Sequence, residues 1–196
     1  MIPNDLHHAK RISGRARAKA HENGEDTEIC AVMEAKKTMF DLHWRLIGDT
    51  READNIGVDQ VYRKDFAEID IQAKGSTIHG RQQRLIWGGF NKKDGLNMDF
   101  YGQFSCFLFL AGFDKTSKII NKALIPARKV PEYFRNHPEA KDLRISLSML
   151  KDHEFYDYFG ESNIQKTLAN ESKLQQEEHE LLKQLRLQKE HNNVHP

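Results

Sequence analysis

The sequence predicts a mixed α/β (α+β) fold, one layer of strands flanked by helices and followed by a long charged helix. Three observations predict it. From about Asp26 to Leu46 the apolar residues recur at helical spacing. Strand-length apolar segments then follow one another between Val58 and Ile125. Asn163 to about Glu190 is helical again and rich in charge. Between these, Pro126 to Arg135 reads as a helix with Pro near its start, and Leu143 to Leu150 alternates apolar and polar residues. The order is helix, four strands, helix, strand, helix. That predicts a central mixed sheet of four to five strands, not a doubly wound alternation.

Composition bounds the function. The 196 residues hold 30 Lys+Arg and 29 Asp+Glu, a formal net charge of +1. A strongly basic nucleic-acid coat protein and an acidic solvating tail are both excluded. Hydrophobic residues at 38% and aromatics at 9% can fill one core, so wholesale disorder is not expected. The longest apolar run, Cys106 to Ala111, has the length of a strand and cannot span a membrane. Residues 1–20 lack the apolar segment of a secretory signal. The two cysteines, Cys30 and Cys106, are far apart without a CxxC pair. No disulfide framework is expected, and a reducing cytoplasm is the default location.

The elements follow in order. Residues 1–24 form a basic arm, with Lys10, Arg11, Arg15, Arg17 and Lys19, either solvated or tracking phosphates. Residues 25–150 are expected as the core domain, and 151–196 as a linker and charged helix. Asp26 or Thr27 can cap the first helix, whose start also carries Glu25 and Glu28. Ile29, Val32, Met33, Phe40 and Trp44 fall near one face, and Gly48, Asp49 and Asn55 end the helix. Val58 to Arg63 and Phe66 to Lys74 read as strands around a turn at Lys64-Asp65. Gly75 to Gly102 is polar and glycine-containing, with a short helix expected around Gln82 to Trp87. Phe104 to Leu110 and Lys118 to Ile125 are strands joined by a turn at Asp114-Lys115. In the last helix Leu174, Leu181 and Leu185 keep seam spacing, but Glu171 and Glu178 take the other seam positions. A strong coiled coil is therefore not predicted, and packing on the core or a modest dimer contact remains.

Chemistry concentrates around Phe66 to Lys74. Ala67, Ile69, Ile71 and Ala73 point to one face, and Glu68, Asp70, Gln72 and Lys74 to the other. By itself this is a half-exposed strand. Asp59, however, lies 13 residues before Gln72, and a hairpin turning at Lys64 or Asp65 returns it beside the end of the second strand. Lys74 shares the side of Gln72. The preceding helix offers Glu28, with Glu25 and Glu34 as alternatives on the same helix.

An acid on a helix, then Asp, then Gln-x-Lys resembles the PD-(D/E)XK nuclease superfamily. The likeness is greatest to its Mrr-type branch of restriction endonucleases, where Gln often replaces the acid before x-Lys. The spacing of the acids is also similar to archaeal-type Holliday-junction resolvases. The carriers here are Glu28, Asp59, Gln72 and Lys74, in Gly57-Val58-Asp59 and Ile71-Gln72-Ala73-Lys74-Gly75, and the resemblance covers roughly residues 25–125. Val58 stands where the superfamily commonly has Pro.

The resemblance implies a restriction-endonuclease-like core and a metal-dependent DNA endonuclease of restriction, phage-defence or recombination type. Mg²⁺ or Mn²⁺ would be held by Asp59, by the Gln72 amide oxygen and by the Ala73 backbone carbonyl, with Glu28 acting through water or at a second metal. Asp70 is an alternative ligand, since it shares the polar face and carries the charge that Gln72 lacks. Lys74 would orient or deprotonate the attacking water, or stabilise the charged phosphate. With Gln in place of a carboxylate, metal affinity is expected to be weak until substrate phosphate completes the site. DNA is the implied partner, and a homodimer is compatible. Two other readings stand beside this one: a non-catalytic nucleic-acid- or protein-binding module on the same fold, and an assembly protein working through residues 163–196.

Lesser candidates follow. Arg15, Arg17, Arg81 and Arg84, with His79, can meet phosphates, and Gln82 and Gln83 can read base edges. Trp87 and Phe90, beside Gly88-Gly89, suit either base stacking or core packing. Neither GxxxxGK[ST] nor GxSxG occurs, which excludes a P-loop ATPase and the usual hydrolase elbow. Cys30 and Cys106 sit among apolar neighbours and read as core residues.

Overall fold

The structure is a computed structural model that describes residues 25–49, 58–78, 83–88, 90, 98–103 and 105–193. Helix α1 spans Glu25–Asp41, followed by β1 (Arg45–Asp49), β2 (Gln60–Lys64), β3 (Ala67–Thr77) and β4 (Arg84–Trp87). A single helical turn, α2 (Met98–Tyr101), precedes β5 (Cys106–Phe113) and β6 (Ile119–Pro126). Then come α3 (Lys129–Asn136), β7 (Leu143–Ser146), two short 3-10 turns, and α4 (Glu161–Asn193).

Five strands form the main sheet in the order β1-β2-β3-β5-β6, and β4 pairs with β7 in a small second sheet. The hairpins β1–β2, β2–β3 and β5–β6 are antiparallel, while β3 and β5 run parallel. The fold is thus α+β with a mixed five-stranded sheet and a C-terminal helix. A parallel pair needs a crossover, and here it passes through β4 and α2. Both faces of the sheet are covered, which is why every residue of β5 is buried. On one face α1 and α4 bring Ala31, Ala35, Met39, Ile164 and Leu168 against Ile69, Ile71, Phe107 and Phe109. On the other, Leu85, Trp87, Phe100, Tyr133 and Ile145 cover Leu108, Leu110 and Ile125.

The turn at Asp114 is built by its own side chain. Its Oδ1 accepts from Thr116 N at 2.8 Å, Thr116 Oγ1 at 2.7 Å and Lys118 N at 2.9 Å. These bonds, that from the Thr116 hydroxyl foremost, hold the carboxyl below its ordinary range.

Several expectations are corrected. Helix α1 stops at Asp41, because His43 takes a left-handed conformation with φ of 62° and Trp44 N turns back to Met39 O at 2.9 Å. Arg45–Asp49, read as the helix end and its breaker, is strand β1. The helix face expected inward is only partly so: Val32 packs on the core and Trp44 is buried, but Ile29, Met33 and Phe40 are exposed, Phe40 77% so. The buried face carries Thr27, Ala31, Ala35 and Thr38, small residues that let the helix lie close on the sheet. Gly75 marks that approach, since a Cβ there would collide with the Thr27 carbonyl. The stretch Gln82 to Trp87, expected as helix, holds strand β4, whose alternate residues Leu85 and Trp87 face the core. The strand expected over Leu143 to Leu150 ends at Ser146 and continues as a 3-10 turn. No helix among the described residues is long and apolar enough to cross a membrane.

Candidate active site

Strand β3 alternates as its sequence demands. Ala67, Ile69, Ile71 and Ala73 are buried against α1 and α4. Its polar face is not a solvent face throughout. Glu68 is exposed, Asp70 and Gln72 are half-buried, and Lys74 is buried. The crossover covers the far end: Phe90 lies over Lys74 with its ring centroid 5.6 Å from Nζ, and Tyr101 donates its hydroxyl to Gln72 Oε1 at 2.9 Å. Farther along the same face, Ser76 Oγ accepts from Ile86 N at 2.8 Å and pins β4.

The hairpin returns Asp59 as expected. Gln60 pairs with Ile71, so Asp59 falls opposite Gln72, and Asp59 N donates to Ile71 O at 2.9 Å. Asp59 Oδ2 accepts from Ala73 N at 2.6 Å, a short charge-assisted bond that aims the carboxylate at the middle of Gln72-Ala73-Lys74. From the helix side, Glu28 Oε1 stands 3.9 Å from Lys74 Nζ. The close contact of Thr27 with Gly75 explains this reach, because it seats the first turn of α1 on the end of β3. Asp59, Gln72, Ala73, Lys74 and Glu28 therefore meet on adjoining positions at one end of the sheet.

Lys74 is unusual within this group. Its side chain is 8% exposed, and its ammonium stands 3.9 Å from Glu28 Oε1 and over the face of Phe90; among the described residues no buried side-chain nitrogen or oxygen lacks a hydrogen-bond partner.

Asp70 is drawn elsewhere. Its Oδ2 lies 3.8 Å from Cys106 Sγ, whose other near neighbour is Gln103 Oε1 at 3.6 Å. Burial raises the Asp70 carboxyl, the Cys106 contact opposes, and the charge of Glu68 adds to the rise. Burial also pushes the Cys106 thiol up to about 12, with the Asp70 charge adding to it. Glu34, an alternative to Glu28, is spent on Lys122 at 3.3 Å. Trp87 is core: it is buried and donates Nε1 to Ala111 O at 3.2 Å, which removes it as a base-stacking group. Phe90 is buried as well, against Tyr101 and Phe134. Arg84 and Gln83 are exposed at the small sheet. Arg15, Arg17, His79, Arg81 and Gln82 lie outside the described residues, as does the side chain of Glu25.

Tyr101 is the member that sequence reasoning missed. It stands 29 positions from Gln72, and no local pattern links the two. Burial raises its hydroxyl well above the ordinary value, so it stays a donor.

The donor set suits a hard divalent cation, since Asp59, Glu28, Gln72 and the Ala73 carbonyl offer oxygen alone. It is lean, with two carboxylates. Among the described residues no group of three or more His, Cys, Asp or Glu is placed to hold a metal ion. Comparison with family models, with curated proteins and with solved structures finds no match.

Proposed function

We propose that this chain is a metal-dependent endonuclease hydrolysing phosphodiester bonds in DNA, on a restriction-endonuclease-like core. The observation that carries the reading is the placement of charge at this end of β3: the Asp59 carboxylate on the Ala73 amide at 2.6 Å, and the Lys74 ammonium 3.9 Å from Glu28 Oε1. An ammonium beside carboxylates and amide oxygens suits a phosphate oxygen and a cation held together. The element order supports the reading too. The resembled superfamily builds its core as helix, three or four strands, helix, strand, and α1, β1 to β3, the single turn α2 and β5 follow that order, with β4 set apart in the small sheet.

Hydrolysis forms a P–O bond from water and breaks the bond to the leaving sugar oxygen, which takes up a proton. Bound Mg²⁺ or Mn²⁺ supplies a more acidic water and neutralises phosphate charge. Asp59, Gln72 and the Ala73 carbonyl would hold the ion, and Glu28 would contribute through water. Tyr101 fixes the Gln72 amide, and Lys74 orients the attacking water or stabilises the phosphate charge. The lean ligand set favours one second reading, a non-catalytic nucleic-acid-binding module on the same fold.

The test is a plasmid-nicking assay with Mg²⁺ or Mn²⁺, comparing the natural chain with Asp59→Ala and Lys74→Ala. Metal-dependent nicking that both substitutions abolish, with folding intact, is the expected result. DNA binding without nicking under any metal would move the assignment to the binding module. Absence of both would overturn the reading.

A further inference from the structure

Helix α4 outruns the body that it packs on. Its inward residues recur at alternating spacings of four and three. Ile164, Leu168, Glu171 and Gln175 come first, and all are at least half-buried on the core. Gln175 ends that packing by sealing the edge of β3. Its Nε2 donates to Glu68 O at 2.8 Å and its Oε1 accepts from Glu68 N at 2.9 Å, where β5 has not yet begun. The same seam then continues as Glu178, Leu182, Leu185 and Lys189, all four exposed. Leu182 is 48% exposed and Leu185 45%, and Leu181 beside them is exposed as well. At 1.5 Å per residue this distal half extends roughly 25 Å.

A groove runs beside it. A cavity of about 540 Å³ lies between the β2–β3 hairpin and α4, lined by Phe66, Glu68, Asp70, Glu178 and Leu182 among others. Phe66, at the hairpin tip, is 79% exposed and stacks on His179 with centroids 5.9 Å apart. Apolar surface and acidic walls are thus continuous with the unpartnered leucines.

We propose that the distal half of α4 pairs antiparallel with the same segment of a second copy of this chain. The charge pattern selects both the occupant and the direction. Glu178 precedes the two seam leucines and Lys189 follows them. Parallel pairing would set Glu178 on Glu178 and Lys189 on Lys189. Antiparallel pairing, centred between Leu182 and Leu185, sets each Leu182 against Leu185 of the second copy and each Glu178 against its Lys189. Away from the seam Glu177 and Glu180 precede the leucines, Lys183 lies between them, and Arg186 and Glu190 follow. Lys189 of the second copy then lies at Glu178, which lines the groove with Glu68 and Asp70, so one sequence carries both complementary halves. The inference stands apart from the nuclease reading.

Sedimentation velocity on the full chain across the micromolar range is the test. A dimer is expected, and Leu182→Asp with Leu185→Asp should yield a monomer of unchanged helical content. Glu178→Lys and Lys189→Glu should each weaken the dimer by roughly tenfold, and the two together should restore it. Under oxidation, Lys189→Cys should link to Glu178→Cys when the two chains are mixed, but not to itself. A monomer at every concentration would overturn the proposal. So would a dimer indifferent to the leucines, a paired reversal that fails to restore, or Lys189→Cys linking to itself.

Discussion

Tyr101 reaches across 29 positions of sequence to donate its hydroxyl to the side-chain oxygen of Gln72, at 2.9 Å. That bond ties the crossover to the polar face of β3. It also fixes which end of the Gln72 amide points away from the tyrosine.

Tyr101→Phe keeps the ring against Phe90 and Phe100 and removes only the donor. A half-buried Gln72 oxygen then loses its partner, at an expected cost of about 1 kcal/mol, measured by urea unfolding. On the nuclease reading, metal-dependent nicking should slow in this variant while DNA binding holds.

Gly75→Ala tests the seating of α1. The added methyl would meet backbone of Thr27 and not a flexible side-chain end, so the helix must move. Overpacking of this kind costs roughly 1–3 kcal/mol, which a thermal melt would register. The shift would also carry Glu28 away from Lys74.

Asp70→Asn tests the buried carboxyl. Burial raises the folded pKa above the ordinary 3.8, so the fold prefers the protonated form. Stability from this group is complete below the unfolded pKa and is lost as pH rises through the folded one. At pH 7 the Asn variant is therefore expected to be more stable than the natural chain, with the gain shrinking as pH falls toward the ordinary value. Urea unfolding across pH would read it. Cys106, kept as a thiol beside Asp70, should react with thiol reagents more slowly than half-buried Cys30 at mildly alkaline pH.

His153 gives the opposite sign. It is held between Tyr133 and Phe155, and burial lowers its pKa below the ordinary 6.5, partly opposed by the charge of Glu154. A depressed base stabilises the fold above its unfolded pKa, and that part is lost as pH falls through the folded value. NMR titration of its imidazole should show a midpoint below the ordinary 6.5.

Strand periodicity made β2 and β3 legible, because alternation over Ala67 to Lys74 has no competing reading and Asp65 supplies a turn residue at φ of 53°. The continuous apolar run Phe107 to Ala111 announced a strand buried on both faces. Helix α1 misled because three of its large apolar residues, Ile29, Met33 and Phe40, lie on its exposed side, while Met39 alone of comparable size is fully buried. Close packing at Gly75 demands alanine and threonine on the inner side, and a hydrophobicity pattern cannot weigh close approach. β1 and β4 were hidden because each is short and gains its identity from a partner strand.

Local sequence by itself determined that Asp59 returns to Gln72 and that Gln72 and Lys74 share a side. Both follow from a hairpin register and a period of two. Only the tertiary structure decided that this polar face is covered by Tyr101 and Phe90, that Glu28 meets Lys74, and that Asp70 turns to Cys106. Those relations join segments far apart in the chain. They depend on how closely the crossover and α1 pack on the sheet, and that is set by the shape of the whole core and not by any local repeat.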